Sequence, residues 1–242
     1  MPSTTNPSTT SSRIEYRAAD SLRSAILLAL TGGSLDAFVY LNHGHVFAAA
    51  MTGNGVLLGV AFLHHDYLHA AHHLVAILGF VLGIFLANVL DSKLKHHAVL
   101  TGLLGEISVL LTASFLPGSF PDFVFVPLIA IVAAYQVTSF RRADTYAYNS
   151  TFITGNLRSA VDGLYDALDP AHRKAGLRKF RDLSAIILAF LAGAVAGAIL
   201  SPKFLNHTLW FICLPLVTVL ITVLIRDESS PSQPDKSATL SN

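Results

Sequence analysis

Charge is scarce in this 242-residue sequence, where only 13% of positions are Asp, Glu, Lys or Arg, about half the roughly 25% of an ordinary soluble domain. Cysteine is scarcer still. The single Cys213 excludes an intrachain disulfide, a thiol-based metal site and a redox pair, and its place inside an apolar block reads as a small buried hydrophobe. A formal net charge of +1 removes the basic footprint that nucleic-acid binding requires. No Gly-rich phosphate loop, nucleophile elbow or His-Glu-x-x-His occurs, so no motif points to an enzyme or to a cofactor.

Apolar residues make up 52% of the chain. They fall in blocks of roughly 18 to 20 residues separated by short polar connectors, the pattern of membrane-spanning helices. Six blocks could cross a hydrocarbon core of about 30 Å: Ser24 to Leu41, His72 to Leu90, Ala98 to Leu116, Phe123 to Phe140, Leu183 to Leu200 and Thr208 to Ile225. The first carries no small-residue cleavage pattern and is expected to stay attached. Residues 1–22 and 227–242, rich in Ser, Thr and Pro, are expected to be disordered cytoplasmic tails around one membrane domain, 23–226. Two further segments are ambiguous. Val46 to Leu63 is apolar but interrupted by Thr52-Gly53-Asn54-Gly55, and Tyr146 to Leu168 contains Arg158, Asp162 and Asp166.

Loop charges separate six spans from eight, because cytoplasmic loops retain Lys and Arg. With six spans and the amino terminus inside, fifteen of the sixteen basic residues lie inside and only Lys203 lies outside. The outer stretch Leu41 to Ala71 then contains none. If both ambiguous segments also spanned, Lys93, Lys95, Arg141 and Arg142 would move outside.

An internal repeat supports the same count. Thr52-Gly53-Asn54 recurs as Thr154-Gly155-Asn156, 102 residues on, and the helix before each motif keeps roughly that offset. Gly79-x-x-x-Gly83 recurs as Gly193-x-x-x-Gly197, 114 residues on, with the twelve extra residues assigned to a basic loop, Asp169 to Asp182. Each half, about 23–117 and about 122–226, is therefore one helix, a Thr-Gly-Asn segment, a helix with a small-residue packing face, and a third helix. Three spans per half make the halves enter the membrane in opposite senses, the inverted-repeat plan of many transporters.

Each Thr-Gly-Asn segment leaves and returns to one side, which makes it a candidate re-entrant element. Thr52 and Asn54 are helix-capping types, and Gly53 permits a turn or a close approach. In the second copy Leu157, Ala160, Val161, Leu164 and Leu168 form one face of an amphipathic helix. Two half-helices pointing inward would bring unpaired N–H groups to the bilayer centre, which is tolerated only inside protein or beside a polar cavity.

Asp36 and Glu106 are the clearest intramembrane acids. Either can serve as a cation or proton site, or as a carboxylate hydrogen-bonded to a neighbouring helix. Gln136 could add a hydrogen bond. Seven of eleven histidines fall in the outer segment, and His65, His69, His72 and His73 have helical spacing that could offer imidazoles to a transition metal. A solvated interfacial loop is the simpler reading, and the metal candidates are weak. The basic run from Arg173 to Arg181 reads as a topology determinant.

Gly33-Ser34-Leu35-Asp36-Ala37, Tyr40-Leu41, the run Val46 to Asn54 and Leu57-Leu58-Gly59 together resemble the YoaK family of bacterial membrane proteins, a domain of unknown function. The resemblance covers about Arg23 to Arg226. It departs at Ala134-Tyr135-Gln136-Val137-Thr138, where only Gln136 fits the family pattern. It implies a multi-pass protein of a bacterial plasma membrane and no established activity, cofactor or ligand.

These readings lead to an all-α membrane protein, a transporter or channel for a small polar solute or ion, whose candidate binding residues are Asp36, Thr52, Gly53, Asn54, Glu106, Gln136, Thr154, Gly155 and Asn156. The alternative is a non-transporting sensor or assembly protein whose helices pack through Gly79, Gly83, Gly193 and Gly197. The lipid bilayer is the one partner implied directly. Self-association into a homo-oligomer is compatible with either reading, and the solute is unnamed.

Overall fold

The computed structural model describes residues 21–94, 97–140, 142–143, 146–151 and 153–228. Most of the two expected tails, with Arg13, Arg17, Lys95, Arg141 and Lys236, lies outside the described residues.

The regular structure of the described residues is helical apart from one two-residue antiparallel pairing, Arg142–Ala143 with Tyr146–Ala147. Eight helices follow in order: α1 Leu22–Asn42, α2 Met51–Leu63, α3 Tyr67–Leu94, α4 Ala98–Ser114, α5 Asp122–Ser139, α6 Ile153–Asp166, α7 Arg173–Phe204 and α8 Thr208–Glu228. Four stretches are long and apolar enough to cross a membrane: α1, α3, α5 and Arg173–Ile225, the last holding both α7 and α8. The 17 residues of α4 extend about 26 Å at about 1.5 Å per residue, close to the core thickness. The chain is an all-α, multi-pass membrane protein.

Local chemistry sets the helix starts. Ser21 Oγ accepts the amide of Ser24 at 3.2 Å to begin α1, and Asp66 accepts the amide of His69 at 3.2 Å to begin α3, both side-chain caps on otherwise unpaired donors. Pro121 precedes α5, whose first turn carries Asp122. Between α7 and α8 the chain turns at Leu205, where φ is +48°.

Several limits differ from the sequence reading. The basic run from Arg173 is no loop: it forms the first turns of the 32-residue α7, tied by Arg181 Nε to the buried Asp182 at 2.9 Å. The extra residues of the second half therefore lengthen a helix. Its approach to α6 is set by two glycines the sequence reading did not single out. A Cβ on Gly176 would stand 2.4 Å from the carbonyl oxygen of Gly163. The stretch 41–71 likewise holds α2 and the start of α3. On α6 the apolar residues Leu157, Val161 and Leu164, with Leu168 just beyond its end, are exposed and of this face only Ala160 is buried, so that face turns outward and suits lipid rather than a core.

The packing pairs form two matching sets. α1 packs on α7 and α5 on α3; α6 packs on α7 and α2 on α3; α1 packs on α8 and α5 on α4; and α4 meets α8. The glycine faces bring helix backbones into direct contact. A Cβ on Gly193 would stand 2.1 Å from Leu30 O and one on Gly197 2.5 Å from Ser34 O, while Gly79 and Gly83 meet Pro127 O and Ile131 O at 2.7 and 2.4 Å. Pro127 follows Leu30 by 97 positions, as Ile131 follows Ser34. α1 and α5 thus align at an offset of 97 rather than 102, and the connection after α5, which holds the β pairing, is five residues longer than the one after α1.

Candidate functional site

The middle of α1 is where the polar elements meet. From Thr31 to Asp36 every residue is buried, although four of the six are Thr, Gly, Gly and Ser and the last is acidic. The small ones admit other backbone. On one side Gly33 and Ser34 lie against α7, and Ser34 Oγ donates to Gly193 O at 2.9 Å. Gln136 Nε2 on α5 donates to Leu28 O at 2.9 Å, so this sequence-flagged residue ties α5 to α1.

On the face of α1 carrying Gly32 and Asp36, one turn apart, both interrupted segments arrive. After α1 the chain reverses at Gly44 and His45, with φ of +69° and +54°, and runs irregularly through Val46 to Ala50. There the Ala49 amide donates to Asp36 Oδ1 at 2.7 Å, and the amides of Ala48 and Ala50 also approach the carboxylate. From the other end of the molecule, the segment after α5 brings Ser150 and Thr151 onto Gly32. A Cβ there would lie 3.1 Å from Ser150 O and 2.9 Å from Thr151 Cγ2. Asp36 Oδ2 and Ser150 Oγ are both buried with no hydrogen-bond partner among the described residues, and buried polar atoms of this kind call for a partner.

The two asparagines serve each segment in the same way, though not as helix caps. Asn54, in the first turn of α2, reaches back seven residues: its Oδ1 accepts from Phe47 N at 2.9 Å and its Nδ2 donates to Phe47 O at 2.8 Å. Asn156 does the same with Asn149, at 3.0 and 2.6 Å. A carboxamide carries one acceptor and two donors and so satisfies both backbone groups of a residue left outside any ladder. This differs from the capping expectation because each Asn lies inside its helix, where its side chain points at the irregular segment. Thr52, Thr154 and Gly155 are exposed and stand apart from this cluster, whereas a Cβ on Gly53 would stand 3.0 Å from the Phe47 ring.

The histidines take separate partners. His65 Nδ1 lies 3.0 Å from Tyr67 Oη, His69 Nδ1 2.7 Å from Asp66 Oδ2, and His73 Nδ1 3.3 Å from Asn54 Oδ1, while His72 stacks on Phe123. Among the described residues no three His, Cys, Asp or Glu side chains converge as a metal site would need. The sequence reading missed a buried linkage at this end. His43 bonds Asp122 at 2.8 Å and Asn206 at 3.0 Å, and Asn206 donates to Leu116 O at 2.9 Å, joining the ends of four helices. No periodicity signals it, because its members come from three separate junctions: after α1, between α4 and α5, and between α7 and α8.

Glu106 stands elsewhere, on α4, buried and with neither carboxylate oxygen hydrogen-bonded.

Comparison with known proteins agrees with the membrane architecture. No solved structure matches. The chain is 28% identical over 208 residues, 83% of its length and 92% of the relative's, to the UPF0700 transmembrane protein YoaK of Bacillus subtilis (strain 168). The family model described as a protein of unknown function (DUF1275) matches residues 24–222, and the chain belongs to that family.

Proposed function

We propose that the protein is a transporter or channel for a small polar solute or ion, built as a 3+3 inverted repeat whose two interrupted segments meet at the bilayer midplane. One observation carries this reading. Ala49 and Ser150-Thr151, entering from opposite ends of the molecule, contact α1 four residues apart, beside Asp36 and around the helix's middle residue, Gly32. If α1 spans, that level is the membrane centre, where irregular backbone is tolerated only within protein or beside a polar cavity. The paired helix contacts and the two Asn hooks support the repeat, since both recur when the halves are exchanged. Lys93 in the last turn of α3 and Arg173 to Arg181 in the first turns of α7 support a cytoplasmic face there. Both termini then lie in the cytoplasm of a bacterial cell, and the protein is not an enzyme.

The test is flux into proteoliposomes across a panel of polyols, amino acids, ammonium and monovalent ions. Wild type should carry at least one solute faster than empty vesicles, and Asp36→Asn should reduce that flux while remaining folded. A panel with no flux above empty vesicles, or flux indifferent to Asp36→Asn, favours the sensor or assembly reading.

A further inference from the structure

The buried carboxylate that the α1 site does not use lies between α3, α4 and α5. Glu106 is 3% exposed, and neither oxygen finds a donor. It borders a cleft of about 200 Å³ shared with Gly83, Leu86, Thr101, Gly102, Gly105 and Tyr135. The cleft opens outward, since Thr101, Gly105 and Leu86 are exposed and nothing lies within 4 Å of a Cβ built on Gly105. In an apolar helical belt the exterior is lipid. Tyr135 forms one wall, its ring over Gly102 and its hydroxyl donating to Ala98 O at 2.7 Å, so that hydroxyl is committed and does not serve Glu106.

We infer that Glu106 is a proton-binding carboxyl at the floor of a lipid-facing cleft. An ionised carboxylate with no hydrogen bond in apolar surroundings is far costlier than the neutral acid. Among the described residues no Lys, Arg or His lines the cleft to act as counter-ion. The titratable groups turned toward it from packed elements are Tyr135 on α5 and Cys213 on α8, with Asp91 near the end of α3 facing Tyr135. None supplies positive charge, which leaves a proton as the smallest ligand that satisfies the oxygen. The inference does not depend on solute passage beside α1.

A neutral acid reached from lipid reacts with dicyclohexylcarbodiimide. The carboxyl proton moves to one carbodiimide nitrogen, the freed oxygen bonds to the central carbon as one C=N becomes C–N, and acyl migration to nitrogen leaves a stable N-acylurea. No oxidant or further reactant is needed. Purified protein in lipid vesicles is treated with this reagent, or with a water-soluble carbodiimide, at neutral and alkaline pH, and the adduct is mapped by peptide mass spectrometry. One adduct on the Glu106 peptide is expected at neutral pH, lost at alkaline pH and much slower with the water-soluble reagent. It should be absent in Glu106→Gln and slowed in Gly105→Leu, which fills the cleft mouth and leaves the carboxyl in place. An unlabelled Glu106 peptide in wild type, labelling that persists at alkaline pH, or equal rates with both reagents would overturn the proposal.

Discussion

Asn54 and Asn156 show how much one side chain can carry where the backbone has left its ladders. Replacing either by Ala strands a half-buried N–H and a half-buried C=O, of Phe47 or of Asn149, where full burial would cost about 1–3 kcal/mol per unsatisfied group. Asn54→Ala and Asn156→Ala should each lower stability by more than the about 1 kcal/mol of a lost helix cap, measured by unfolding in mixed detergent. An effect of a few tenths at both would show that the hooks are ornamental. The Asn positions were legible in the sequence as a repeated Thr-Gly-Asn. Their partners were not, because a bond reaching back seven residues has no helical or strand period. Asp66 permits a pH test at the same scale. The His69 amide, then the His69 ring, hold its carboxyl below the ordinary range. A lowered carboxyl contributes stability above its unfolded value and loses it as pH falls through the folded value. At neutral pH Asp66→Asn should therefore exchange the first-turn amides of α3 faster than wild type, with the difference vanishing in acid. A difference unchanged in acid would contradict the assignment.

Helix pairing in this protein is written in small residues. Four glycines at i and i+4 were visible as two matching faces, and the structure sets one face directly on the backbone of α1 and the other on that of α5. Close approach of this kind replaces the hydrophobic drive that lipid cannot supply between spans. Gly193→Ala should cost about 1–3 kcal/mol, the range of overpacking, because its methyl would stand 2.1 Å from Leu30 O. Gly105→Ala meets nothing within 4 Å and should be neutral or stabilising by about 0.4–1 kcal/mol. Equal behaviour of the two variants in thermal unfolding would count against backbone contact as the basis of pairing. The helix start at Arg173 was the harder element to read. Its charge density resembles a solvated loop, and only the approach of Gly176 to Gly163 and the ion pairs on Asp182 show why the helix extends so far.

At the scale of the whole molecule, apolar length and loop charge made the membrane class plain, and the repeat suggested which helices correspond. The meeting of two distant segments on α1 was beyond the sequence, since Ala49, Ser150 and Gly32 carry no distinguishing chemistry. Sidedness is checked with single cysteines in a Cys213→Ser background. An impermeant maleimide should label His65→Cys on intact cells and Lys174→Cys only after permeabilisation, and external labelling at both would exclude the six-span arrangement. The central claim concerns depth. Contacts four residues apart on α1 correspond to about 6 Å along its axis, so both interrupted segments should reach nearly one level. Spin labels at the exposed Thr52 and Thr154, placed one at a time in lipid vesicles, report depth through the ratio of oxygen to nickel-chelate collision rates. The account predicts two depths that differ by well under half of the about 30 Å hydrocarbon core. One label near each headgroup layer, separated by nearly the full core, would contradict it.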